Sequence, residues 1–351
     1  MLKINMLSSA DKVAGQGVGS AYLELLRLLK TRNKETLEIT VNQFTTADIT
    51  HYHTIDPQYY LMTFLKKKVG RQIGYVHFLP ETLDGSIKLP KFAFEIFKRY
   101  VMSFYKRMDH LVVVNPDFKL KLIELGIPEE DVTFIPNFVA KEQFYEESNA
   151  QKATTREKYG FSEEDFIVLG AGQIQERKGI DDFVELARRN PTIKFMWAGG
   201  FSFGKITDGY EHYKQIVENP PKNLQFPGIV AREEMRALNN MTSLFLLPSF
   251  SELFPMTILE AASCGTPIML RDLELYHGIL SGQYIQAKDV DEMDKKLKKL
   301  QGNLEELQFW KKKANEIASK YSEENLSKVW ENFYQEQANA NGNLEEKTEQ
   351  G

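Results

Sequence analysis

The sequence contains a single cysteine, Cys264, among 351 residues. One thiol excludes an internal disulfide and a cysteine-based zinc framework, and it favours a reducing compartment. The six histidines form no close ligand pattern such as H-E-x-x-H. No uninterrupted apolar run approaches the ~18 residues that a membrane-spanning helix requires. The first residues, MLKINMLSSADK, lack the charged-then-apolar layout of a signal peptide, so we expect a cytoplasmic protein.

The charge of the chain is distributed unevenly. Hydrophobic residues make up 42% and charged residues 26%, which is typical of a soluble globular protein, and the net charge is −5. Residues 60–125, however, hold twelve Lys and Arg against six Asp and Glu. This basic segment indicates an acidic partner surface, either anionic lipid or nucleic acid. Since no nucleic-acid recognition motif accompanies it, lipid is favoured.

Short apolar segments typical of buried strands alternate with helical patterns over the whole chain. In the first half they are Lys3–Leu7, Glu38–Val41, Ile49–His51, Ile73–His77, Leu111–Asn115 and Val132–Ile135. In the second half they are Phe166–Gly170, Lys194–Trp197, Leu224–Phe226, Leu244–Leu247, Pro267–Leu270 and Tyr284–Ile285. This alternation predicts an α/β protein with parallel sheets, in which ligands bind at the carboxyl ends of the strands.

A polar, charged segment at residues 141–165 divides the chain, so we predict two α/β domains with a ligand cleft between them. The predicted bounds are 1–145 for the first domain and 146–320 for the second. A helix follows at 321–337, and the polar residues 338–351 are predicted to be a disordered tail.

The stretch Ser243–Gly265 carries the strongest candidate site. The strand Leu244–Leu247 is followed by a loop and by a helix that we place from about Pro255, a residue favoured at the first helical position. Free N–H groups at the start of this helix, together with its dipole, favour an anion such as a phosphate. Glu252 and Glu260 flank the corner and can hold the hydroxyls of the molecule that carries the phosphate. The alternative is an ordinary strand–helix unit with two solvated glutamates.

Two segments of the first half place further candidates at strand ends. The loop Ser8–Gly19 has glycines at alternate positions, Gly15, Gly17 and Gly19, which lets backbone approach a phosphate or sugar closely. It does not match the dinucleotide fingerprint G-x-G-x-x-G, and a flexible surface loop is the alternative. His77 ends a predicted strand, where ligands gather, and a purely structural histidine is the other interpretation.

Arg177 and Lys178 are adjacent cations in the loop after the first strand of the second half. If this loop lies beside the Glu252 corner, they can neutralise a diphosphate and the charge that develops on its cleavage. Two exposed cations are the alternative. Asp289 and Asp291 form a carboxylate pair where a helix starts, and we predict a helix cap there rather than a metal site.

Residues 92–108, FAFEIFKRYVMSFYKRM, show the pattern of an amphipathic helix. One face holds Ala93, Phe97, Tyr100, Val101, Phe104 and Met108, and the other side holds Lys98, Arg99, Lys106 and Arg107. With Lys66, Lys67, Lys68 and Arg71, this helix predicts a membrane-docking surface in which Phe97 and Phe104 enter the lipid and the cations meet anionic headgroups. A core-packing helix with a solvated outer face is the alternative.

Taken together, these motifs resemble the signature of retaining family-4 glycosyltransferases. The motifs are E-x7-E (Glu252, Glu260), the following AASCGTP, G-x-G-x5-K-G (Gly170, Gly172, Lys178, Gly179), PSFSE and IPNFV. The resemblance covers nearly the whole chain. It implies a GT-B fold, in which two Rossmann-like domains flank a cleft and the last helix crosses back to the N-terminal domain. It also implies a nucleotide-sugar donor, bound mainly by the C-terminal domain without a metal.

The resemblance also implies roles for individual residues. Arg177 and Lys178 match the pair that holds the donor diphosphate, Glu260 the acid that binds the ribose, and Glu252 the acid near the donor hexose. With His77, which matches a histidine facing the sugar, Glu252, Arg177 and Lys178 form the expected catalytic set.

The remaining donor contacts carried over are Phe254, Pro255 and Met256 in the backbone segment around the sugar, Val230 at the nucleobase and Gly17 in the glycine loop. Many relatives have Gly-Phe-Gly directly after the first glutamate, where this chain has Leu253-Phe254-Pro255. Because Pro255 has no N–H, one backbone donor to the ligand is absent.

The segments SSADKVAGQGVGSAYLE and VHFLPETLDGSI look most like glycolipid enzymes of Gram-positive bacteria. These enzymes add a second hexose to monohexosyl-diacylglycerol and make the anchor lipid of lipoteichoic acid. The resemblance implies transfer of glucose or galactose from a UDP-sugar, with an α linkage, by a peripheral enzyme on the inner face of the membrane, without cofactor, metal or nucleic acid. The alternatives are a soluble or cell-wall-polymer acceptor, and a catalytically silent nucleotide-sugar-binding scaffold.

Overall fold

The computed structural model describes residues 1–10, 17–79, 90–201, 204, 207 and 209–349, and within them the strands form two parallel sheets of six strands each. The first sheet consists of β1 Leu2–Leu7, β2 Leu37–Val41, β3 Ile49–Tyr52, β4 Arg71–Val76, β5 His110–Val113 and β6 Val132–Phe134. The second consists of β7 Ile167–Ala171, β8 Lys194–Ala198, β9 Leu224–Gly228, β10 Leu244–Leu247, β11 Ile268–Arg271 and β12 Ile285–Ala287. The predicted α/β architecture with two parallel sheets is confirmed.

The helices lie between the strands and after the second sheet. Those of the first half are α1 Gly17–Arg32, α2 Pro57–Met62, α3 Lys66–Val69, α4 Lys91–Tyr105 and α5 Pro116–Glu124. Those that follow are α6 Asn149–Lys158, α7 Ile180–Arg189, α8 Tyr210–Glu218, α9 Arg232–Met241, α10 Met256–Ser263, α11 Glu274–Leu280, α12 Val290–Leu300, α13 Leu304–Lys320 and α14 Glu323–Glu349. The side chain of Asp289 accepts a hydrogen bond from the N–H of Glu292, so Asp289 caps α12 as predicted.

The order of the strands fixes where a ligand can bind. The second sheet runs β12-β11-β10-β7-β8-β9, and the first runs β2-β1-β3-β4-β5-β6. In an open parallel sheet, a crevice forms at the carboxyl ends of two neighbouring strands whose connections leave in opposite directions. These pairs are β7 and β10 in the second sheet and β1 and β3 in the first. The loops after β7 and β10 are those that hold the candidate cations and glutamates.

The last helix, α14, returns to the first sheet. Its Trp330 is fully buried, and the ring lies 5.7 Å from that of His51 on β3. The hydroxyl of Tyr334 lies 2.7 Å from Nδ1 of His51. The predicted crossover helix is therefore confirmed. It continues past Gln337 to Glu349, into the segment for which the sequence predicts disorder, and this segment is rich in good helix formers such as Glu, Ala and Gln.

Helix α4 directs its broader apolar face into the protein. Val101 and Phe104 are buried, and the Phe104 ring lies 5.7 Å from that of Tyr52 on β3. Phe97 packs against the same core. The prediction that Phe104 enters a membrane is therefore wrong, and the side chain of Phe97 is only partly exposed. Periodicity identifies an apolar face, but it does not distinguish a face that packs on a sheet from one that meets lipid.

Several of the predicted docking cations also have partners within the protein: Lys66 lies 3.8 Å from Asp109, and Lys68 lies 4.4 Å above the ring of Phe44. Arg71 donates a 2.7 Å hydrogen bond to the side chain of Gln337 on α14. Arg107 lies 3.6 Å above the ring of Phe64 and donates to the hydroxyl of Thr63. Among the described residues, no helix is both long enough and apolar enough to cross a bilayer.

Candidate active site

The loop between β10 and α10 lies at the crevice of the second sheet. Pro255 has extended backbone, with φ −69° and ψ 123°, and its carbonyl accepts a 3.1 Å bond from the N–H of Ile258. It therefore caps the helix, and Met256 is the first helical residue, not Pro255 as predicted. In the first turn of a helix the N–H groups have no acceptor within the helix. Those of Met256 and Thr257 consequently suit an anion.

Three of the predicted residues meet at the loop that precedes this helix. Nζ of Lys178 lies 2.5 Å from Oε1 of Glu252, and Nη1 of Arg177 lies 3.8 Å from its Oε2. Only 12% of the Lys178 side chain and 4% of the Glu252 side chain are exposed. Nη1 of Arg177 also donates a 2.6 Å bond to the carbonyl of Ser251. The loops after β7 and β10 are thus held together, as the sequence requires for a diphosphate site.

The charges in this cluster keep the carboxylate of Glu252 ionised. Burial pushes the pKa of Glu252 up, but Lys178 and Arg177 outweigh that effect and hold it below its ordinary value. Burial lowers the pKa of Lys178 by more than Glu252 restores, and Arg177 lowers it further. Two cations against one carboxylate leave a net positive charge in a largely dry site, so an incoming diphosphate is attracted there.

Gly179 allows the two loops to approach. It has a φ of +72°, in the left-handed region, and a β-carbon there would lie 2.3 Å from the carbonyl oxygen of Pro248. Only glycine satisfies both conditions. The glycine of the K-G pair therefore sets the contact between the turn after β7 and the end of β10, which positions Lys178 against Glu252.

The first domain contacts the same loop from the opposite side. The side-chain amide of Asn115, after β5, donates a 3.2 Å hydrogen bond to the carbonyl of Leu253. The amide of Asn137 donates a 3.2 Å bond to the carbonyl of Phe254. Phe254 itself is buried, with its ring 5.1 Å from that of Tyr321, so a ligand can meet only its backbone.

His77 lies just after β4, in a buried cluster of aromatic rings. Its ring lies 4.3 Å from that of Tyr75 and 5.7 Å from that of His53, which in turn lies 4.2 Å from that of His51. Burial lowers the pKa of His77 to about 3, so it is a neutral imidazole at physiological pH. It can exchange a hydrogen bond with a sugar hydroxyl but brings no positive charge.

This cluster is linked to the loop after β10. The hydroxyl of Tyr75 donates a 3.4 Å bond to Oδ1 of Asn137, which holds the Phe254 carbonyl. Nε2 of His77 and both ring nitrogens of His53 have no hydrogen-bond partner within the described part of the chain. His77 is thus connected to the loop after β10 through Tyr75 and Asn137.

Glu260 belongs to a second charged cluster, which spans the two domains. It is 6% exposed, and burial raises its pKa to about 7 although Arg232 opposes this effect. Arg232 of α9 forms an ion pair with Glu24 of α1, which is 1% exposed. Glu24 also accepts the backbone N–H of Ala140 and lies 3.7 Å from Nε of Arg27. The predicted ribose carboxylate therefore lies beside an interdomain ion pair.

The other predicted donor contacts lie on different elements. Val230 is half-buried in the turn between β9 and α9, and Met256 is buried at the start of α10. Gly17 is the first residue of α1, so the glycine loop ends there. Gly15 lies outside the described residues, as does most of the segment VHFLPETLDGSI. Within the described ranges, no group of three or more His, Cys, Asp and Glu side chains is arranged to hold a metal ion.

Sequence reasoning did not single out Asn115, Asn137, Glu24 or Arg232. Three of them left a signal, since Asn137 lies in the motif IPNFV. Asn115 directly follows an apolar strand at its carboxyl end, where functional side chains gather. Glu24 falls on the buried stripe of α1 between Ala21 and Leu25, and an acid in such a stripe requires a charged partner.

The chain matches two protein-family profiles in succession. Glycosyltransferase Family 4 matches residues 18–143, and Glycosyl transferases group 1 matches residues 151–317. The chain is 58% identical over 337 residues to the alpha-galactosylglucosyldiacylglycerol synthase of Streptococcus pneumoniae, covering 96% of this chain and 90% of the relative. It is 25% identical to the processive diacylglycerol alpha-glucosyltransferase of Acholeplasma laidlawii, covering 74% and 76% of the two chains.

Solved structures share the fold. Sucrose-phosphate synthase from Thermosynechococcus elongatus superposes with a TM-score of 0.80 at 13% identity, covering 97% of this chain and 100% of the other. HepE from Anabaena, solved in complex with UDP-glucose, superposes with a TM-score of 0.74 at 15% identity, covering 94% and 98%.

The raised pKa of Glu260 predicts an effect on stability. At pH 8 the folded protein holds this carboxylate charged in a buried site, and the unfolded chain does so at no such cost. The Glu260→Gln variant should therefore be more stable than the wild type at pH 8, by up to about 3 kcal/mol, since each pKa unit corresponds to about 1.4 kcal/mol. The gain should shrink as pH falls towards 4.5, the ordinary pKa of glutamate. Urea unfolding at pH 5 and pH 8 measures both values.

Glu252→Gln is the matched control, because the pKa of Glu252 is shifted the opposite way. This variant should be destabilised at pH 8, since it leaves Lys178 buried without its counter-ion. If Glu260→Gln is destabilised at pH 8 as strongly as Glu252→Gln, the burial argument for Glu260 is refuted.

The histidine cluster predicts acid sensitivity. The pKa of His53 lies well below 6.5 because of burial, so below pH 6.5 the unfolded chain binds a proton that the folded chain refuses. The loss of unfolding free energy between pH 7 and pH 5 should therefore be about 2 kcal/mol smaller in His53→Phe than in the wild type. Tyr75→Phe, in the same cluster, removes no group that titrates in this range and should keep the wild-type loss. An equal loss in all three proteins would contradict the prediction.

Proposed function

The chain belongs to glycosyltransferase family 4, and from this premise we propose that it transfers a hexose from a UDP-sugar to monohexosyl-diacylglycerol. The product is an α-linked dihexosyl-diacylglycerol of the kind that anchors lipoteichoic acid. The observation that carries the proposal is the 58% identity, over 96% of the chain, to a synthase named for alpha-galactosylglucosyldiacylglycerol. That name supports galactose as the hexose and glucosyl-diacylglycerol as the acceptor.

The cluster around Lys178 supports a donor that carries a diphosphate. When the bond between the anomeric carbon and the diphosphate breaks, negative charge grows on the departing oxygen. In this proposal Arg177, Lys178 and the first N–H groups of α10 stabilise that charge, in a site where little water screens it. Glu252 then exchanges its lysine contact for a hydroxyl of the donor hexose, while Glu260 binds the ribose.

In this proposal the acceptor hydroxyl attacks the anomeric carbon on the face that the diphosphate leaves. Because attack and departure occur on the same face, the configuration is retained without a covalent sugar–enzyme intermediate. The proton of the acceptor hydroxyl passes to the departing diphosphate oxygen. His77, neutral and buried, positions the sugar rather than stabilising charge. This chemistry needs no metal, because Arg177 and Lys178 provide the positive charge that a metal ion would supply.

A surface on the first domain supports a lipid acceptor. On the outer side of α4, Phe92 is 71% exposed and Ile96 64%, and Arg99 and Lys106 continue the same stripe. The hydroxyls of Ser103 on this stripe and of Tyr60 on α2 lie 2.8 Å apart, which places the end of α2 beside it. There the exposed residues are Leu61, Phe64, Leu65, Lys66, Lys67 and Lys68. We call these residues together the basic-apolar surface.

Apolar side chains beside cations suit an interface in which the former enter the acyl region and the latter meet anionic headgroups. This arrangement replaces the predicted one, because Phe92 and Ile96 take the place assigned to Phe97 and Phe104. It supports peripheral binding on an anionic leaflet, where the glycolipid acceptor resides.

A transfer assay tests the function directly. Labelled UDP-galactose and UDP-glucose are each offered with glucosyl-diacylglycerol and with plain diacylglycerol in mixed micelles. We expect labelled dihexosyl-diacylglycerol from one donor and from the glycosylated lipid only. Lys178→Gln should reduce kcat/KM by at least 100-fold, because one of the charges that stabilise the leaving group is lost.

Lys222→Gln, at an exposed lysine, is the matched control and should retain full activity. Thermal melting of both variants verifies folding, since removing Lys178 leaves Glu252 buried. Transfer to a soluble sugar but to neither lipid would refute the lipid acceptor, and a folded Lys178→Gln enzyme with wild-type turnover would refute the role of the cluster.

Vesicle flotation tests the basic-apolar surface. The wild type should float with vesicles that contain phosphatidylglycerol and remain in the bottom fraction with neutral phosphatidylcholine. The double variant Phe92→Ser/Ile96→Ser should lose most of this binding, because two inserted side chains contribute roughly 1.5–3 kcal/mol each. Leu304→Ser/Phe309→Ser, at comparably exposed residues of α13, should bind like the wild type. Equal flotation of both double variants would place the contact elsewhere.

A further inference from the structure

The residues 251–254, here called the donor loop, have three of their carbonyl groups fixed by side chains. Arg177 donates to the carbonyl of Ser251 at 2.6 Å. Asn115 donates to the carbonyl of Leu253 and Asn137 to that of Phe254, each at 3.2 Å. The first anchor comes from the domain that carries the loop, and the other two come from the first domain.

Fixing a carbonyl also fixes the N–H of the same peptide unit. A peptide is planar, and in its trans form the C=O and N–H bonds point in opposite directions. Because Asn115 draws the Leu253 carbonyl towards the first domain, the N–H of Phe254 points to the other side of the loop. The next peptide unit joins Phe254 to Pro255 and has no N–H, so the orientation of the Leu253–Phe254 unit matters more in this chain than in relatives with glycine at that position.

The side chain of Asn115 has a second contact that secures its orientation. Its Oδ1 accepts a 2.7 Å bond from the N–H of Asp117 and caps α5. With the oxygen so engaged, the amide nitrogen is directed away from the helix, and it meets Leu253. Asn137 is similarly oriented by Tyr75, whose hydroxyl donates to Oδ1 of Asn137.

We propose that Asn115 and Asn137 are positioning residues for the donor hexose, which orient the donor loop only when the two domains are docked. This inference rests on the proposed function, since it assigns the loop next to Glu252 to the hexose of a UDP-sugar. The acceptor domain thereby controls the geometry at the anomeric carbon. An open enzyme can hold the nucleotide through Arg177, Lys178 and Glu260, but it does not place the hexose for transfer.

The proposal predicts different effects on UDP and on the UDP-hexose, two ligands that share a nucleotide. UDP has no hexose, so its affinity should not depend on the donor loop, whereas the transfer step should. A substitution that merely loosened the protein would weaken the binding of both. The comparison of UDP affinity with kcat/KM for the UDP-hexose therefore distinguishes a positioning role from a structural one.

Asn115→Asp and Asn115→Ser are the test variants. Both residues are good helix caps, so α5 retains its cap, but neither offers an amide donor to Leu253. We expect kcat/KM for hexose transfer to fall at least tenfold in both, with the dissociation constant of UDP, measured by calorimetry, within twofold of wild type. The ratio of donor hydrolysis to transfer should rise, because a poorly oriented hexose reacts with water more readily than with the acceptor.

Asn303→Asp is the matched control. Asn303 caps α13 through the N–H of Glu306, as Asn115 caps α5, but it lies outside the domain contact. It should leave both quantities at wild-type values. The proposal is overturned if both Asn115 variants keep kcat/KM within twofold, or if UDP affinity falls in parallel with it. A wild-type protein that binds UDP but transfers no hexose would instead refute the proposed function.

Discussion

The site depends on the buried ion pair between Lys178 and Glu252. Taking two charges out of water costs several kcal/mol for each ion, and the attraction between them recovers that cost only with good geometry and further hydrogen bonds. Here the glycine at 179 allows a separation of 2.5 Å, and Arg177 adds a second cation. The pair therefore keeps the site charged and shaped before a ligand arrives. In the proposed mechanism a diphosphate takes over Lys178 and a sugar hydroxyl takes over Glu252, so both ions exchange one partner for another instead of being desolvated during catalysis.

The second charged cluster also holds buried ions that depend on one another, but it lies at the contact between the two domains. Glu24 and Arg232 belong to different domains, and Glu260, whose pKa is raised to about 7, lies beside Arg232. Arg232 can be shared between the two carboxylates only while the domains are docked. Protonation of Glu260 and contact between the domains are thus linked through one guanidinium group.

Much of the architecture follows from local sequence patterns, and the parts that do not are contacts between distant residues. The strand Leu244–Leu247 has the predicted bounds, because an apolar run is a local property of the sequence. Lys178 and Glu252 were predictable as partners because parallel strands bring their carboxyl ends together. The hydrogen bond from Asn115 to Leu253 was not, since it depends on how two domains dock.

Helix α4 shows the same limit within one element. Its sequence has apolar residues on more than one stripe, and the stripe that contains Val101 and Phe104 is the buried one. Phe92 and Ile96 are left on the outer side with cations next to them. A helix whose apolar residues served only the core would place polar side chains there, because exposed aromatic and aliphatic residues favour aggregation. The outer stripe is therefore the part of α4 that we propose to contact an anionic bilayer, since basic residues surround it.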